Sequence, residues 1–360
     1  MLRLNETSKR KLDHLRLCAE EDVEHRTHSF EDVLLIHNAL PEIDMAEIDL
    51  TTRFLGRELR CPLLITSMTG GHPDTMEVNR NLSMAAEKLG IGIGVGSQRA
   101  ALEDPAQEAS FRVVRDYAPN AFVYANIGAP QLAKYGIDGV KRVVDMIDAD
   151  AVAIHLNFLQ EAIQPEGDVN AVGCITAINR ICTKLDIPVI VKETGAGISH
   201  KVGYMLYQAG VAAIDVGGVG GTSWAGIEVY RARAEDNRIK ERLGEAFWDW
   251  GIPTTVSIVE CRDFGIPVVA TGGIRSGIDI AKSIALGATV CGMGLPLIEP
   301  ALRGMDAVVD HISKVLEELR VAMFLTGSKT VSDLGFADVV LKGLTREILS
   351  ERGFDTKFIR

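Results

Sequence analysis

The chain has 360 residues, 47% of them apolar and 24% charged, with a formal net charge of −11. That length admits two domains or one large α/β barrel, with a core that needs no disulfide or metal staple. The acidic balance argues against a nucleic-acid surface or an anionic membrane as partner, while leaving room for a local basic pocket that takes a small anion. The six cysteines show no C-x-x-C spacing and fall mostly in apolar stretches, which reads as reduced, buried thiols. Residues 1–11 carry no apolar signal core, and no apolar run reaches membrane-spanning length, so a cytoplasmic location is expected.

In chain order, an extension over 1–60 precedes eight short apolar runs that read as strands: 62–68, 91–97, 121–128, 151–157, 188–194, 212–217, 267–272 and 289–294. They are nearly continuous in Val, Ile, Leu and Ala, as strands covered on both faces are. Helical patterns lie between them at 74–89, 105–117, 138–146, 172–184, 199–208, 257–264 and 276–286, several ending in a similar turn: Lys88-Leu-Gly90, Gln208-Ala-Gly210 and Ala285-Leu-Gly287. A glycine just past a helix closes it in a left-handed cap. The alternation predicts an α/β chain folded as a (β/α)8 TIM barrel in a single domain over 1–360, with the barrel core at 61–300. A doubly wound open sheet is the competing topology. Residues 218–250 read as a long insertion after strand six, a rim loop suited to act as a lid, and 301–360 as a C-terminal helical tail.

The most informative stretch is Ala151-Val-Ala-Ile-His-Leu-Asn-Phe-Leu-Gln-Glu161. Alternation along a strand points His155 and Asn157 the same way, and Gln160 and Glu161 follow where the strand ends. In a parallel barrel this is the C-terminal rim, where the chemistry sits. Strands seven and eight end in Thr271-Gly-Gly-Ile-Arg275 and Cys291-Gly-Met-Gly-Leu295, glycine-rich turns suited to a phosphate. Lys192, at the end of a covered strand five, needs an anionic partner; Glu193 or Asp215 is one candidate and an anionic ligand is the other. Strand one ends Thr66-Ser-Met-Thr-Gly-Gly71 and strand two Gly94-Val-Gly-Ser-Gln-Arg99, offering hydroxyls and amides to a planar heterocycle and, in Arg99, a bidentate phosphate grip. Gly217-Gly-Val-Gly-Gly-Thr-Ser-Trp224 adds an amide-rich loop, with Trp224 either an apolar wall or ordinary packing. Glu161 alone cannot cage a metal, but Mg²⁺ shared with substrate phosphates fits one carboxylate. His25 and His28 lack a third ligand and read as surface, and the basic run Ser8–His14 reads from composition as solvated.

Taken together, the motifs resemble the type 2 isopentenyl diphosphate isomerases, the FMN-dependent class of that activity. The similarity runs over nearly the whole chain: Arg10-Lys11 with His14, Phe30-Glu-Asp-Val33 with His37-Asn-Ala-Leu-Pro41, Ser67–Gly71, Gly96–Arg99, His155-Leu-Asn157, Gln160-Glu161, Lys192-Glu193, Gly220–Trp224 and Thr271–Arg275. The resemblance implies FMN contacts at Ser67, Met68, Thr69, Ser97, Asn126, Lys192, Thr222, Gly272, Gly273, Gly294 and Leu295. It implies substrate contacts at Arg10, Lys11, Ser97, Arg99, His155, Asn157 and Gln160, and Mg²⁺ on Glu161. The implied reaction interconverts isopentenyl and dimethylallyl diphosphate, with reduced FMN as acid–base catalyst, Gln160 assisting proton movement, Lys192 stabilising flavin charge and Trp224 excluding water. NADPH is the implied reductant, and a homotetramer or octamer the implied assembly. The competing functions are an FMN-dependent 2-hydroxy-acid oxidoreductase on the same barrel and a non-catalytic flavin-binding protein. The first lacks a His or Arg in the strand-six loop; the second leaves Gln160 and Glu161 without a purpose.

Overall fold

The computed structural model describes residues 6–165 and 167–358. Of the stretches singled out above, residues 1–5 of the extension, Glu166 and residues 359–360 of the tail, and the side chains of Ser8 and Lys9, lie outside the described ones.

Eight parallel strands close into a barrel: Leu63–Ile65, Gly92–Gly94, Val123–Gly128, Ala151–Leu156, Val189–Glu193, Ala213–Asp215, Val268–Ala270 and Val290–Met293. Strand eight pairs with strand one through Cys291 and Leu63, which rules out the open doubly wound sheet. Residue parity fixes what each strand shows to either side. Leu64, Phe122, Tyr124, Ala151, Ala153, Ile190, Ala213, Val269 and Val290 pack together inside the barrel, while Leu63, Val152, Ile154 and Val191 join the helix-facing core. Stepping two residues further along the inward face reaches Asn126, His155, Lys192, Asp215 and Thr271. The lumen is therefore apolar at its base and polar at its C-terminal end.

The helices between strands fall where their periodicity places them, among them Met76–Leu89, Ala109–Tyr117, Cys174–Lys184, His200–Gln208 and Gly277–Leu286. Gly90 and Gly287 close two of them in the left-handed conformation, at φ 66° and 117°. At the last of these helices Ser276 and Asp279 form a reciprocal capping box. In the extension, a hairpin of Thr52–Phe54 and Arg57–Leu59 turns at Leu55 and Gly56, both at positive φ. It drives Phe54 into the base of the barrel, where its ring meets Phe122 edge-on at 5.5 Å.

Three expectations change. The tail is not helical throughout: after the long helix Met305–Thr326, strands Val339–Leu341 and Lys357–Phe358 form a three-stranded sheet with Val33–Leu35 of the extension. The insertion after strand six is not an open loop either. It folds into helices Trp224–Ala234 and Arg238–Ala246, and returns to the rim where Val219 bridges Pro253. Finally, His25 is buried against the strand-six loop, whereas His28 is exposed. Among the described residues no helix is long and apolar enough to cross a membrane.

Candidate active site

A cavity opens at the C-terminal end of the barrel, and every site residue named above lines it. Strand ends supply Ser67, Met68, Thr69, Ser97, Asn126, His155, Asn157 and Lys192; the loops after strands six to eight supply Thr222, Trp224, Gly272, Gly273, Gly294 and Leu295. The N-terminal helix Glu6–Glu20 covers the cavity with Arg10, Lys11, His14, Leu15 and Cys18, which recur at three- and four-residue spacing on one face. The basic run is thus part of the cavity wall and not a solvated tail.

One region of the cavity is cationic. Burial, with Arg10 and Arg99 nearby, pushes the Lys11 ammonium down to about 7. No carboxylate among the described residues pairs with Lys11. Arg99 is steadied through Nε by Glu103 Oε1 at 2.8 Å, which leaves its two terminal amino groups as remaining donors. Three basic side chains gathered on one wall of the cavity form a site for an anion. His155 lies at its inner end, with Nδ1 2.9 Å from Asn126 Oδ1. The Asn126 amide nitrogen donates to the Val95 carbonyl at 3.1 Å, so its oxygen must be the atom facing His155. Nδ1 therefore carries the proton. Burial, then Lys192 and Lys11, hold the imidazole well below its usual range. Gly128 makes room for it, since a Cβ there would come within 2.9 Å of Nε2.

A hydrogen-bonded chain runs from the cations to the insertion. Arg10 donates to Gln164 Oε1 at 3.3 Å, and Gln164 Nε2 donates to Glu161 Oε2 at 2.6 Å. Asn157 Nδ2 and the Asp168 backbone also donate to Glu161, at 2.9 and 2.7 Å. No cationic side chain among the described residues reaches ion-pair distance of this buried carboxylate. A buried charge with only neutral donors around it is costly, and a bound cation would relieve it. Among the described residues no cluster of three acid, His or Cys groups could hold a metal. One carboxylate suits only a Mg²⁺ completed by ligand oxygens and water.

Gln160 Nε2 donates to Glu228 Oε1 at 3.0 Å. Glu228 was not anticipated. It lies one helical turn beyond Trp224 on the insertion helix, almost fully buried, with Arg231 Nη1 at 2.7 Å and His14 Nε2 at 3.5 Å. Burial raises its carboxyl, but His14, Arg231 and Gln160 outweigh that and hold it down at about 2. His14 also packs edge-on against Trp224, ring centroids 5.1 Å apart.

The opposite region is built of backbone. Gly272 and Gly273 have φ of 99° and 90°, and a Cβ on them would strike the Gly218 and Gly220 carbonyls at 2.2 and 2.5 Å. The loops after strands six and seven therefore interlock through glycine alone. Thr69 Oγ1 is buried there without a hydrogen-bond partner. Lys192 Nζ donates to the Glu193 carbonyl at 2.7 Å and makes no ion pair within the described residues, so neither Glu193 nor Asp215 is the anionic partner it needs. Burial pushes the Glu193 carboxyl up to about 7, against the pull of its backbone donors and Lys192. A long cradle with an orphaned hydroxyl, a lysine outside any ion pair among the described residues, and a glycine end fits a flavin mononucleotide. A strap from the extension holds it: the Ser223 and His25 N–H groups donate to the Val23 and Gly221 carbonyls at 2.7 and 2.8 Å, and Arg275 pairs with Glu24.

The family of FMN-dependent dehydrogenases matches residues 158–340. Isopentenyl-diphosphate delta-isomerases from Methanosarcina mazei, Archaeoglobus fulgidus and Halobacterium salinarum are 59%, 54% and 50% identical, over 98%, 96% and 96% of this chain and 97%, 99% and 97% of theirs. Solved structures of mandelate oxidase, one with a monooxide FMN adduct and one with (S)-2-phenylpropionate, share the fold at TM-scores of 0.60 and 0.61. They are 20% and 18% identical, covering 87% and 92% of this chain and 90% and 91% of those. With its flavin cradle, its cationic region and relatives at this identity along its length, the chain belongs to the FMN-dependent, type 2 isopentenyl-diphosphate delta-isomerases.

Proposed function

We propose that this enzyme interconverts isopentenyl diphosphate and dimethylallyl diphosphate by a 1,3-allylic proton shift. The observation that carries the reading is one cavity with an anion-binding region at Arg10, Lys11, Arg99 and His155, a flavin cradle, and an amide, Gln160, anchored to an ionised buried carboxylate. The cations and Asn157 hold the diphosphate, and Glu161 would hold a Mg²⁺ that would neutralise part of its charge. Trp224 and Met68 wall the hydrocarbon from water, which would otherwise quench developing positive charge. Bound reduced FMN supplies a group that gives and takes back a proton with no net redox change. Gln160 does not titrate; it holds the travelling proton by hydrogen bonding, and Glu228 fixes its amide so that Oε1 accepts. Lys192 steadies negative charge on the flavin edge. NADPH acts only as an outside reductant that arms the cofactor.

The cytoplasm is the setting we assign, and a homotetramer or octamer the assembly. In support of assembly, Leu34 and Val340 form an exposed cross-strand apolar pair. The test of function is incubation with isopentenyl diphosphate, FMN, Mg²⁺ and NADPH, following dimethylallyl diphosphate. Product must depend on reduced flavin, and Gln160→Asn must lower turnover at least a hundredfold with FMN retained. Product formed equally well without FMN would overturn the reading.

A further inference from the structure

Glu193 is a buried acid at the end of strand five that the proposed chemistry does not use. Its side chain turns away from Lys192 and back over its own backbone. Oε2 accepts the N–H groups of Thr194 and Gly195, both at 2.6 Å, of Ala196, and of Gly197 at 3.2 Å. Four successive amides thus wind around one carboxylate oxygen. Only glycine allows the wrap: Gly195 and Gly197 have φ of 143° and 79°, and a Cβ would strike the Thr222 carbonyl at 2.8 Å and the Ile252 carbonyl at 2.6 Å.

The peptide joining Glu193 to Thr194 is held at both ends. Its N–H donates to the carboxylate, and its carbonyl accepts the Lys192 ammonium at 2.7 Å. A peptide dipole set between a carboxylate and an ammonium is polarised by both, so each bond strengthens the other. The wrapped loop is in turn tied to the strand-six loop, where the Gly197 N–H donates to the Gly217 carbonyl at 3.0 Å.

We infer that Glu193 is a positioning residue: through the 193–194 peptide its carboxylate fixes where the Lys192 ammonium sits, and so sets the positive charge presented to the flavin. Glu193 itself need touch neither flavin nor substrate. The inference rests on the reading that Lys192 faces the flavin, and the experiment separates the two.

Holoenzyme is prepared as the parent, E193Q, Lys192→Met and the double variant. Two readouts are taken: the pH titration of the reduced flavin by absorbance, and the side-chain NMR signal of Lys192, assigned by its loss in Lys192→Met. E193Q should move the Lys192 signal and raise the reduced-flavin titration by about one pH unit, a tenfold change in the ionisation constant. Lys192→Met should raise it at least as far, and the double variant no further. Should E193Q fail to fold, Glu193→Asp, which withdraws the carboxylate by one methylene, must shift both readouts the same way. A Lys192 signal at its parent position in the substituted protein overturns the inference, as do additive shifts in the double variant. If Lys192→Met leaves the flavin titration unmoved, the placement of Lys192 at the flavin fails, and its NMR signal still decides the role of Glu193.

Discussion

Binding of the diphosphate should draw protons from solution, in a number set by two residues. In the empty site His155 Nδ1 already donates to Asn126, so Nε2 can donate to a phosphate oxygen only once the ring becomes imidazolium. Its pKa, held well below the usual imidazole range, keeps the ring neutral at pH 7 before the anion binds, and binding should add a proton to it. Lys11 adds a second, pH-dependent share. With a pKa of about 7 it is roughly nine-tenths charged at pH 6 and roughly nine-tenths neutral at pH 8. The Lys11 share of the uptake is therefore about one-tenth of a proton at pH 6 and about nine-tenths at pH 8, added to that of His155. The sign follows from both pKa values being lowered in the empty site and restored by the anion. Affinity falls as pH rises, by about 1.4 kcal/mol per unit for each proton taken up, and more steeply above pH 7 than below. Calorimetry of isopentenyl diphosphate binding to the holoenzyme, in buffers of differing ionisation heat, counts the protons directly. His155→Gln should subtract about one proton at both pH values, and Lys11→Met should subtract one only at pH 8. Differences between variants cancel the ligand's own ionisation. An unchanged count in His155→Gln would refute the tautomer argument.

Further outcomes follow from single contacts. Glu228→Gln removes the buried carboxylate that Arg231, His14 and Gln160 converge on, and should cost about 3 kcal/mol of stability. Chemical denaturation checks this, and an unchanged midpoint would mean the pair is already relaxed by solvent. The same variant should lower turnover with FMN still bound, because Gln160 loses its charged anchor. Gly272→Ala places a methyl 2.2 Å from the Gly218 carbonyl, and should abolish stoichiometric FMN uptake in a flavin titration. Gly265→Ala, also at positive φ but with nothing within 4 Å, should cost only about 1 kcal/mol and keep the flavin. Glu161→Gln should raise the Mg²⁺ concentration needed for half-maximal turnover at least tenfold; an unshifted titration would remove Glu161 from the metal.

How much of this was legible in the chain depended on whether a residue's neighbours were near in sequence. The eight strands were, because strands covered on both faces must be apolar throughout, and parity then carried Asn126, His155 and Lys192 to the lumen's upper end. The helix caps were legible for the same local reason. The N-terminal helix could have been found: Lys11, His14, Leu15 and Cys18 share one helical face, although the run's charge suggested a solvated tail. The strands at 339–341 and 357–358 are too short to show a period of two, and the first of them pairs with 33–35, some three hundred residues away. Glu228 was hidden by distance as well. Of its partners only Arg231, one turn further along the same helix, is near it in sequence, and the fold brings Gln160 and His14 to it. Glu193 was only partly legible, for the opposite reason. Its neighbour Lys192 made an ion pair one of two candidates, yet on a strand adjacent side chains point to opposite faces. The carboxylate takes the loop's amides and the lysine takes the carbonyl between them, which leaves the ammonium's charge for a ligand.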